Sequence, residues 1–214
     1  MAILNYSDFV TTTFASAAHH TKSLPSFQNL HDLGNHYVSL VDELNLRLDR
    51  LHVGMAFAGE MLEYQIELEG VKSSAPFQDT SAEMKEVGDL CYYLQMIINL
   101  YDLPGITLEG AYEEPKKYPN YSVLSNVSVK AEALVDQIKR FEIYRQEYSQ
   151  DKMVVAVEQM VHALKELAVI YYDQPMTSPL MLVIQQNIEK LKKRYPKGTF
   201  DTADSAAKKD AVTS

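Results

Sequence analysis

Apolar residues recur at intervals of three and four along almost the whole chain, and the alternation typical of β-strands never extends beyond a few residues. This spacing collects hydrophobic side chains on one face of an α-helix. The pattern therefore predicts an all-α fold, and it leaves open a break near Gly54 in the first long helix. The apolar positions of that helix, expected over about 30–70, are Leu40, Leu44, Leu48, Leu51, Met55, Leu62 and Ile66.

Turn and capping residues separate this helix from those that follow. The stretch SSAPFQDTS contains a proline and small polar residues, and it predicts a loop. Thr80 with Glu83 is typical of a capping box at the start of the next helix. Ser178 with Pro179 is expected to cap and begin the last helix. The helices expected after the loop span about 80–102, 125–147, 151–172 and 178–195.

A proline-containing connection divides the chain into two expected units. Residues 104–124 hold three prolines and few apolar positions, so we interpret them as a linker. The unit before it, at 1–103, carries the acidic motifs discussed below, and the unit after it covers 125–200. The tail at 201–214 has almost nothing to bury and is expected to be disordered.

Composition limits the classes of function. The net charge of −9 argues against a general nucleic-acid binder, because affinity for a phosphate backbone comes from clustered lysine and arginine. No stretch approaches the roughly 20 apolar residues of a membrane span, and the N-terminus lacks the features of a signal peptide. We therefore expect a cytoplasmic protein that contacts no membrane. Its single cysteine, Cys91, is expected to be a small core residue.

Two pairs of acidic residues carry the strongest chemical signal. Glu60 and Glu63 are three residues apart, as are Glu86 and Asp89, so each pair shares one helix face. Both pairs border apolar stripes, of which the second comprises Val87, Leu90, Leu94, Ile97 and Tyr101. Carboxylates gathered beside a packed surface repel one another and lose hydration, and a divalent cation removes that cost. Oxygen ligands of this kind suit Mg²⁺ or Mn²⁺, bound between two helices with a phosphate substrate.

Other interpretations of these acids stay open. Glutamates at helical spacing are common on solvated faces, and a helical interaction protein would also carry them. A di-iron carboxylate bundle is disfavoured, since it needs Glu-x-x-His motifs on two helices, whereas Glu158 and His162 are four residues apart and stand alone.

Three segments resemble, in order, the motifs of the MazG-like all-α nucleoside triphosphate pyrophosphohydrolases, which are related to dimeric dUTPases and dCTP pyrophosphatases. The first is LHVGMAFAGEMLE at 51–63, the second EVGDLCYYL at 86–94 and the third NIEKLKKRYPKGTF at 187–200. The resemblance implies a MazG-like helical bundle that hydrolyses a nucleoside triphosphate to the monophosphate and pyrophosphate. The substrate is expected to be a deoxynucleotide or a non-canonical nucleotide.

The resemblance also implies roles for individual residues. Mg²⁺, or Mn²⁺ in its place, would be held by Glu60, Glu63, Glu86 and Asp89, with Glu63 and Glu60 acting on the attacking water. Tyr93 falls where related enzymes place an aromatic ring near the base. Members of the family are usually dimers or tetramers, so a homo-oligomer is expected. The alternative is a non-catalytic interaction or regulatory protein derived from the same fold.

The third segment adds candidate phosphate ligands. Asn187, Lys190 and Arg194 share one helical face and could meet the triphosphate, with arginine offering two parallel hydrogen bonds. The alternative role of the two basic residues is to complement the dipole at the end of their helix.

The second unit is hypothesised to be a degenerate copy of the first. A displacement of 70 residues pairs Leu94 with Leu164 and Tyr101 with Tyr171. In this register no acid remains at the four candidate metal positions, which would leave only the first unit active. The residues opposite Glu60, Glu63, Glu86 and Asp89 are Lys130, Ala133, Ala156 and Gln159.

Overall fold

The computed structural model describes residue 10 and residues 34–73, 81–110, 120–172 and 178–195. Within these ranges every regular element is an α-helix, which confirms the predicted fold class for this part of the chain. No helix in the same ranges is both long and apolar enough to cross a membrane. The five helices are α1 (Gly34–Ser73), α2 (Ser81–Leu100), α3 (Asn120–Glu142), α4 (Gln150–Tyr172) and α5 (Met181–Arg194).

Helix bounds lie within about four residues of the predictions at α1, α2, α4 and α5, whereas α3 begins and ends earlier than predicted. The helix α3 begins inside the expected linker and ends before residue 147. The prediction that Ser178 caps α5 was wrong, because the capping position is Leu180, which supplies no side-chain hydrogen bond. Ser178 Oγ instead accepts the backbone N–H of Gly110 at 3.2 Å. The capping box at Thr80 and the tail at 201–214 lie outside the described residues.

The helices form two pairs that share one hydrophobic core. The helix α1 packs along α2, α3 packs along α4, and a long contact between α1 and α3 joins the pairs. The last helix, α5, packs on α2. The stripe predicted on α2 is buried, as is Cys91, whose pKa burial raises to about 12. Among the largest side chains with almost no exposure are Phe57, Tyr64, Leu90, Leu94, Leu134, Ile138, Met160 and Leu164.

The helix α1 continues unbroken through Gly54, where it crosses α3. A Cβ atom added at Gly54 would lie 2.8 Å from Ile138 Cγ2, which is closer than non-bonded carbons approach. Glycine weakens a helix interior by about 1 kcal/mol relative to alanine. Here the absence of a side chain leaves room for the Ile138 side chain of α3, so the glycine marks a contact between the two helices and not a break.

A buried carboxylate joins the first three helices. Glu142, at the end of α3, accepts a hydrogen bond from Tyr101 Oη at 2.9 Å and one from Arg47 Nε at 3.3 Å. Arg50 approaches the same carboxylate at 3.9 Å and stacks over the Tyr101 ring at 4.4 Å from its centroid. Because the Glu142 side chain is only 3% exposed, these partners offset the cost of burying its charge.

The segment after α2 also packs on the core. Leu103 and Leu108 are buried, and the ammonium of Lys165 on α4 donates hydrogen bonds to the carbonyls of Thr107 and Glu109, both at 3.3 Å. Burial lowers the pKa of Lys165. The first residues of the expected linker are therefore fixed against the second helical pair.

Candidate functional site

Three glutamates meet where α1 and α2 lie side by side. Glu60 and Glu63 of α1 and Glu86 of α2 each offer a carboxylate oxygen, and these three oxygens lie within 4.8 Å of one another. Glu60 and Glu86 are partly buried, whereas Glu63 is exposed. The cluster therefore has one open side, through which a ligand can reach it.

Packing of the helices positions the cluster. On α1 the side chains of Phe57, Met61 and Tyr64 are buried, and the two glutamates lie on the edge of that buried face. On α2 the buried Val87 and Leu90 flank Glu86 in the same way. Because both buried faces turn toward the shared core, the acidic edges of the two helices face each other.

The electrostatics of the cluster are unfavourable without a cation. Burial, followed by the charges of Asp89, Glu63 and Glu86, raises the pKa of Glu60 to about 7, although Lys190 opposes this shift. Burial and the charge of Asp89 also raise the pKa of Glu86. The Oε2 atom of Glu86 is buried and has no hydrogen-bond partner among the described residues. Burying a carboxylate oxygen without a hydrogen-bond partner costs free energy, and a bound cation would offset that cost.

The fourth acid, Asp89, binds the last helix. Its Oδ1 accepts a hydrogen bond from Asn187 Nδ2 at 2.6 Å, and its Oδ2 forms an ion pair with Lys190. Asp89 lies outside the group of three close carboxylates, so its role as a metal ligand stays a prediction. Asn187 and Lys190, both predicted to bind the substrate, therefore lie beside Asp89, although each is about 100 residues from it in the chain.

Gly88 permits this contact, and the sequence analysis did not single it out. A Cβ atom there would lie 3.0 Å from Asn187 Cβ and 3.2 Å from its Nδ2. Gly88 is buried, so the close approach of α5 to α2 requires a residue without a side chain. Its position between Glu86 and Asp89 in the EVGD motif was a signal that could have been used, because a glycine inside a helix costs stability unless another element comes close.

The remaining predicted residues lie at the edge of the site. Tyr93 is one turn beyond Asp89, is partly buried, and meets the Tyr92 ring edge to face at 5.3 Å between centroids. Burial and then the charge of Glu60 raise the pKa of Tyr93. Arg194 follows Lys190 by one turn, in the last turn of α5, and is partly buried.

This arrangement can bind a hard divalent cation and an anion side by side. Carboxylate oxygens from two helices suit Mg²⁺ or Mn²⁺, and the ammonium and amide of α5 suit the oxygens of a phosphate. No family model, curated protein or solved structure matches the chain.

Proposed function

We propose that the protein is a Mg²⁺-dependent nucleoside triphosphate pyrophosphohydrolase, which releases the nucleoside monophosphate and pyrophosphate. The observation that carries this proposal is the juxtaposition of three close carboxylates with Lys190 and Asn187. Carboxylates alone would fit many cation sites. Cationic and amide donors beside them fit a substrate that is itself anionic and shares the metal, as a polyphosphate does.

The donor set fits a divalent ion. Glu60, Glu63 and Glu86 would hold it, and the buried, unpartnered Oε2 of Glu86 is the atom that most needs such a ligand. Asp89 is proposed as a fourth ligand, beside Lys190. When bound, the ion neutralises phosphate charge and lowers the pKa of water, and Mn²⁺ is expected to replace Mg²⁺.

The side chains of the site then have distinct tasks. Glu63 is exposed and can orient the attacking water or accept its proton, assisted by Glu60. Lys190 and Arg194 bind phosphate oxygens, and Asn187 donates its amide to the same region. Tyr93 packs against the base, so it contributes to the choice of nucleotide. We propose a deoxynucleotide or a non-canonical nucleotide as the substrate, hydrolysed in the cytoplasm.

The test is product analysis by chromatography. The purified chain is incubated with each common NTP and dNTP, and with dUTP and dITP, with and without Mg²⁺. We expect monophosphate and pyrophosphate from one or a few substrates, and a loss of about 100-fold or more in Glu60→Gln. Glu43→Gln, an exposed change on the same helix, is the matched control. If the folded chain turns over no nucleotide, the proposal fails and a regulatory or interaction role is favoured.

Self-association is proposed as well. The helix α1 exposes a second apolar stripe, in which Leu48, Met55 and Leu62 recur every seven residues at 48%, 67% and 61% exposure. A repeat of seven with hydrophobic side chains is typical of helices that pair with another helix. We propose a second copy of the chain as that partner.

A further inference from the structure

Both carboxylate oxygens of Asp89 are occupied by side chains of α5. Oδ1 accepts a hydrogen bond from Asn187 Nδ2 at 2.6 Å, and Oδ2 forms an ion pair with the ammonium of Lys190. The exposed fractions of the Asp89 and Lys190 side chains are 16% and 19%, so the ion pair is partly shielded from water. Asp89 therefore differs from Glu86, whose Oε2 is buried without a hydrogen-bond partner among the described residues.

The two partners of Asp89 differ in their freedom to move. Asn187 is 3% exposed and lies against Gly88, where an added Cβ would be 3.0 Å from Asn187 Cβ. Its amide therefore has little room to leave Oδ1. Lys190 is partly exposed and carries its ammonium on a flexible stem. The ion pair with Lys190 is thus the contact that can break while Asn187 keeps Asp89 in place.

An ion at the acidic cluster of Glu60, Glu63 and Glu86 would compete with Lys190 for Asp89. Glu86 and Asp89 are three residues apart on one face of α2, so an ion held at Glu86 lies within reach of Asp89. Such an ion would meet the ammonium of Lys190 as a like charge at short distance, and like charges repel. Asp89 therefore cannot bind the ion and Lys190 equally well at the same time.

The cost of breaking the ion pair links two ligands. A shielded ion pair is costly to break when either charge is left without a partner. A divalent ion compensates only Asp89, and a phosphate oxygen compensates only Lys190. When both ligands bind, each charge of the former pair has a new partner. The exchange is therefore most favourable when the ion and the phosphate are present together.

We propose that Lys190 exchanges Asp89 for a phosphate oxygen of the substrate, and that this exchange frees Asp89 to become the fourth ligand of the divalent ion. Each of the two ligands then raises the affinity for the other. The inference rests on the proposed function, since it takes the acidic cluster to hold a divalent ion beside a polyphosphate. It adds a regulatory role for Lys190, which restrains metal binding until the substrate is present.

Titration of Mn²⁺ alone into the full chain, followed by isothermal calorimetry, tests this restraint. Lys190→Met removes the ammonium and keeps an apolar stem, so it should free Asp89 and tighten Mn²⁺ binding about fivefold or more. Arg194→Met removes the same charge one turn further along α5 and should tighten binding by less than about twofold. In an Asp89→Asn background, where no carboxylate remains to be freed, the effect of Lys190→Met should also fall below about twofold.

The converse titration uses inorganic tripolyphosphate in EDTA, so that neither a base nor a metal ion contributes. Asp89→Asn should release Lys190 and tighten tripolyphosphate binding about fivefold or more, and adding Lys190→Met should cancel this gain. Glu63→Gln is the matched control, because it removes the same charge from a glutamate outside the ion pair. Its gain should stay below about twofold.

The possible results separate this inference from the proposed reaction. The inference is overturned if Lys190→Met, folded as judged by its Tm, leaves the Mn²⁺ affinity unchanged or weakens it. It is equally overturned if the tightening persists in Asp89→Asn, or if Asp89→Asn and Glu63→Gln affect tripolyphosphate binding alike. If neither the wild type nor Lys190→Met binds Mn²⁺, the inference and the proposed metal site fail together. If the couplings are found and no nucleotide is hydrolysed, the proposed reaction fails and the exchange stands.

Discussion

At Glu60, burial and the neighbouring carboxylates raise the pKa from 4.5 to about 7. Between these pH values the folded chain keeps a proton that the unfolded chain releases. Stability falls with rising pH wherever the folded state binds more protons. We therefore expect the Tm of the metal-free chain to fall more steeply between about pH 5 and 8 than the Tm of Glu60→Gln. Thermal melts in EDTA measure both slopes, and equal slopes would contradict the raised pKa.

The same carboxyl should couple metal binding to pH. A metal ligand must be deprotonated, so Mg²⁺ competes with the proton that Glu60 retains near pH 6. Because a ligand that binds only the folded state raises its stability, we expect Mg²⁺ to raise the Tm more at pH 8 than at pH 6. The rise should disappear in Glu60→Gln and persist in Glu43→Gln. A rise that is independent of pH, or that survives Glu60→Gln, would place the ion elsewhere.

Single residues also show how far the sequence could be interpreted. Helical periodicity placed Glu60 and Glu63 on one helix face and Glu86 beside an apolar stripe, which suggested a shared site but left a solvated face open. The contacts of Asp89 with Asn187 and Lys190 depend on how α5 returns to α2, which no local spacing encodes. The spacing placed Asn187 and Lys190 on one face of α5, but it could not predict that they bind Asp89.

At the level of helices, alanine substitutions at two glycines of α1 are expected to change stability in opposite directions. Gly54→Ala places a Cβ 2.8 Å from the stiff, buried Ile138, and repacking should cost about 1–3 kcal/mol of unfolding free energy. Gly59 has no atom within 4 Å of an added Cβ, so Gly59→Ala should stabilise the helix by about 0.5–1 kcal/mol. Chemical denaturation of the two variants measures both effects.

A double variant checks the cause. Ile138→Ala removes the atoms that the new methyl group would meet, so Gly54→Ala should cost less in that background than in the wild type, although Ile138→Ala itself opens a cavity. Additive effects of the two changes would mean that the crossing of α1 and α3 is not set by this contact.

Periodicity predicted the helices better than it predicted which face is buried. On α1 the apolar residues form two stripes, and Val53, Phe57 and Met61 face the core while Leu48 and Met55 face solvent. Repeats of 3.6 residues identify a helix and its amphipathic faces, but two apolar faces leave the choice to the partner helices. Periodicity could not predict the contacts of Glu142 with Arg47, Arg50 and Tyr101, because these residues come from different parts of the chain.

At the level of the whole molecule, the chain has a shared core with two dissimilar helical pairs. The first pair of helices gathers carboxylates beside α5, and the second presents lysine and glutamine at the corresponding positions. The displacement of 70 residues was visible in the sequence as a few identities, and its agreement with the burial pattern needed the fold.

The exposed stripe of α1 leads to a prediction about assembly. From Leu48 to Leu62 the stripe is about 21 Å long at 1.5 Å per residue, and two copies could pair along it about a two-fold axis. We expect a dimer or a larger oligomer by light scattering after gel filtration. Met55→Glu would bury an unpaired charge at the centre of that contact and should yield monomers. Val129→Glu, at a residue 55% exposed on α3, is the matched control.

The outcomes separate assembly from catalysis. A monomeric wild type, or dissociation by Val129→Glu to the same extent, would contradict the stripe as the interface. If Met55→Glu yields a folded monomer that still hydrolyses its substrate, each chain holds a complete site between α1, α2 and α5. If the folded monomer loses activity, a partner must close the exposed side of the cluster at Glu63, since Met55 itself lies outside the group of acids. The partner chain would then cover both the exposed Glu63 and the exposed apolar stripe of α1.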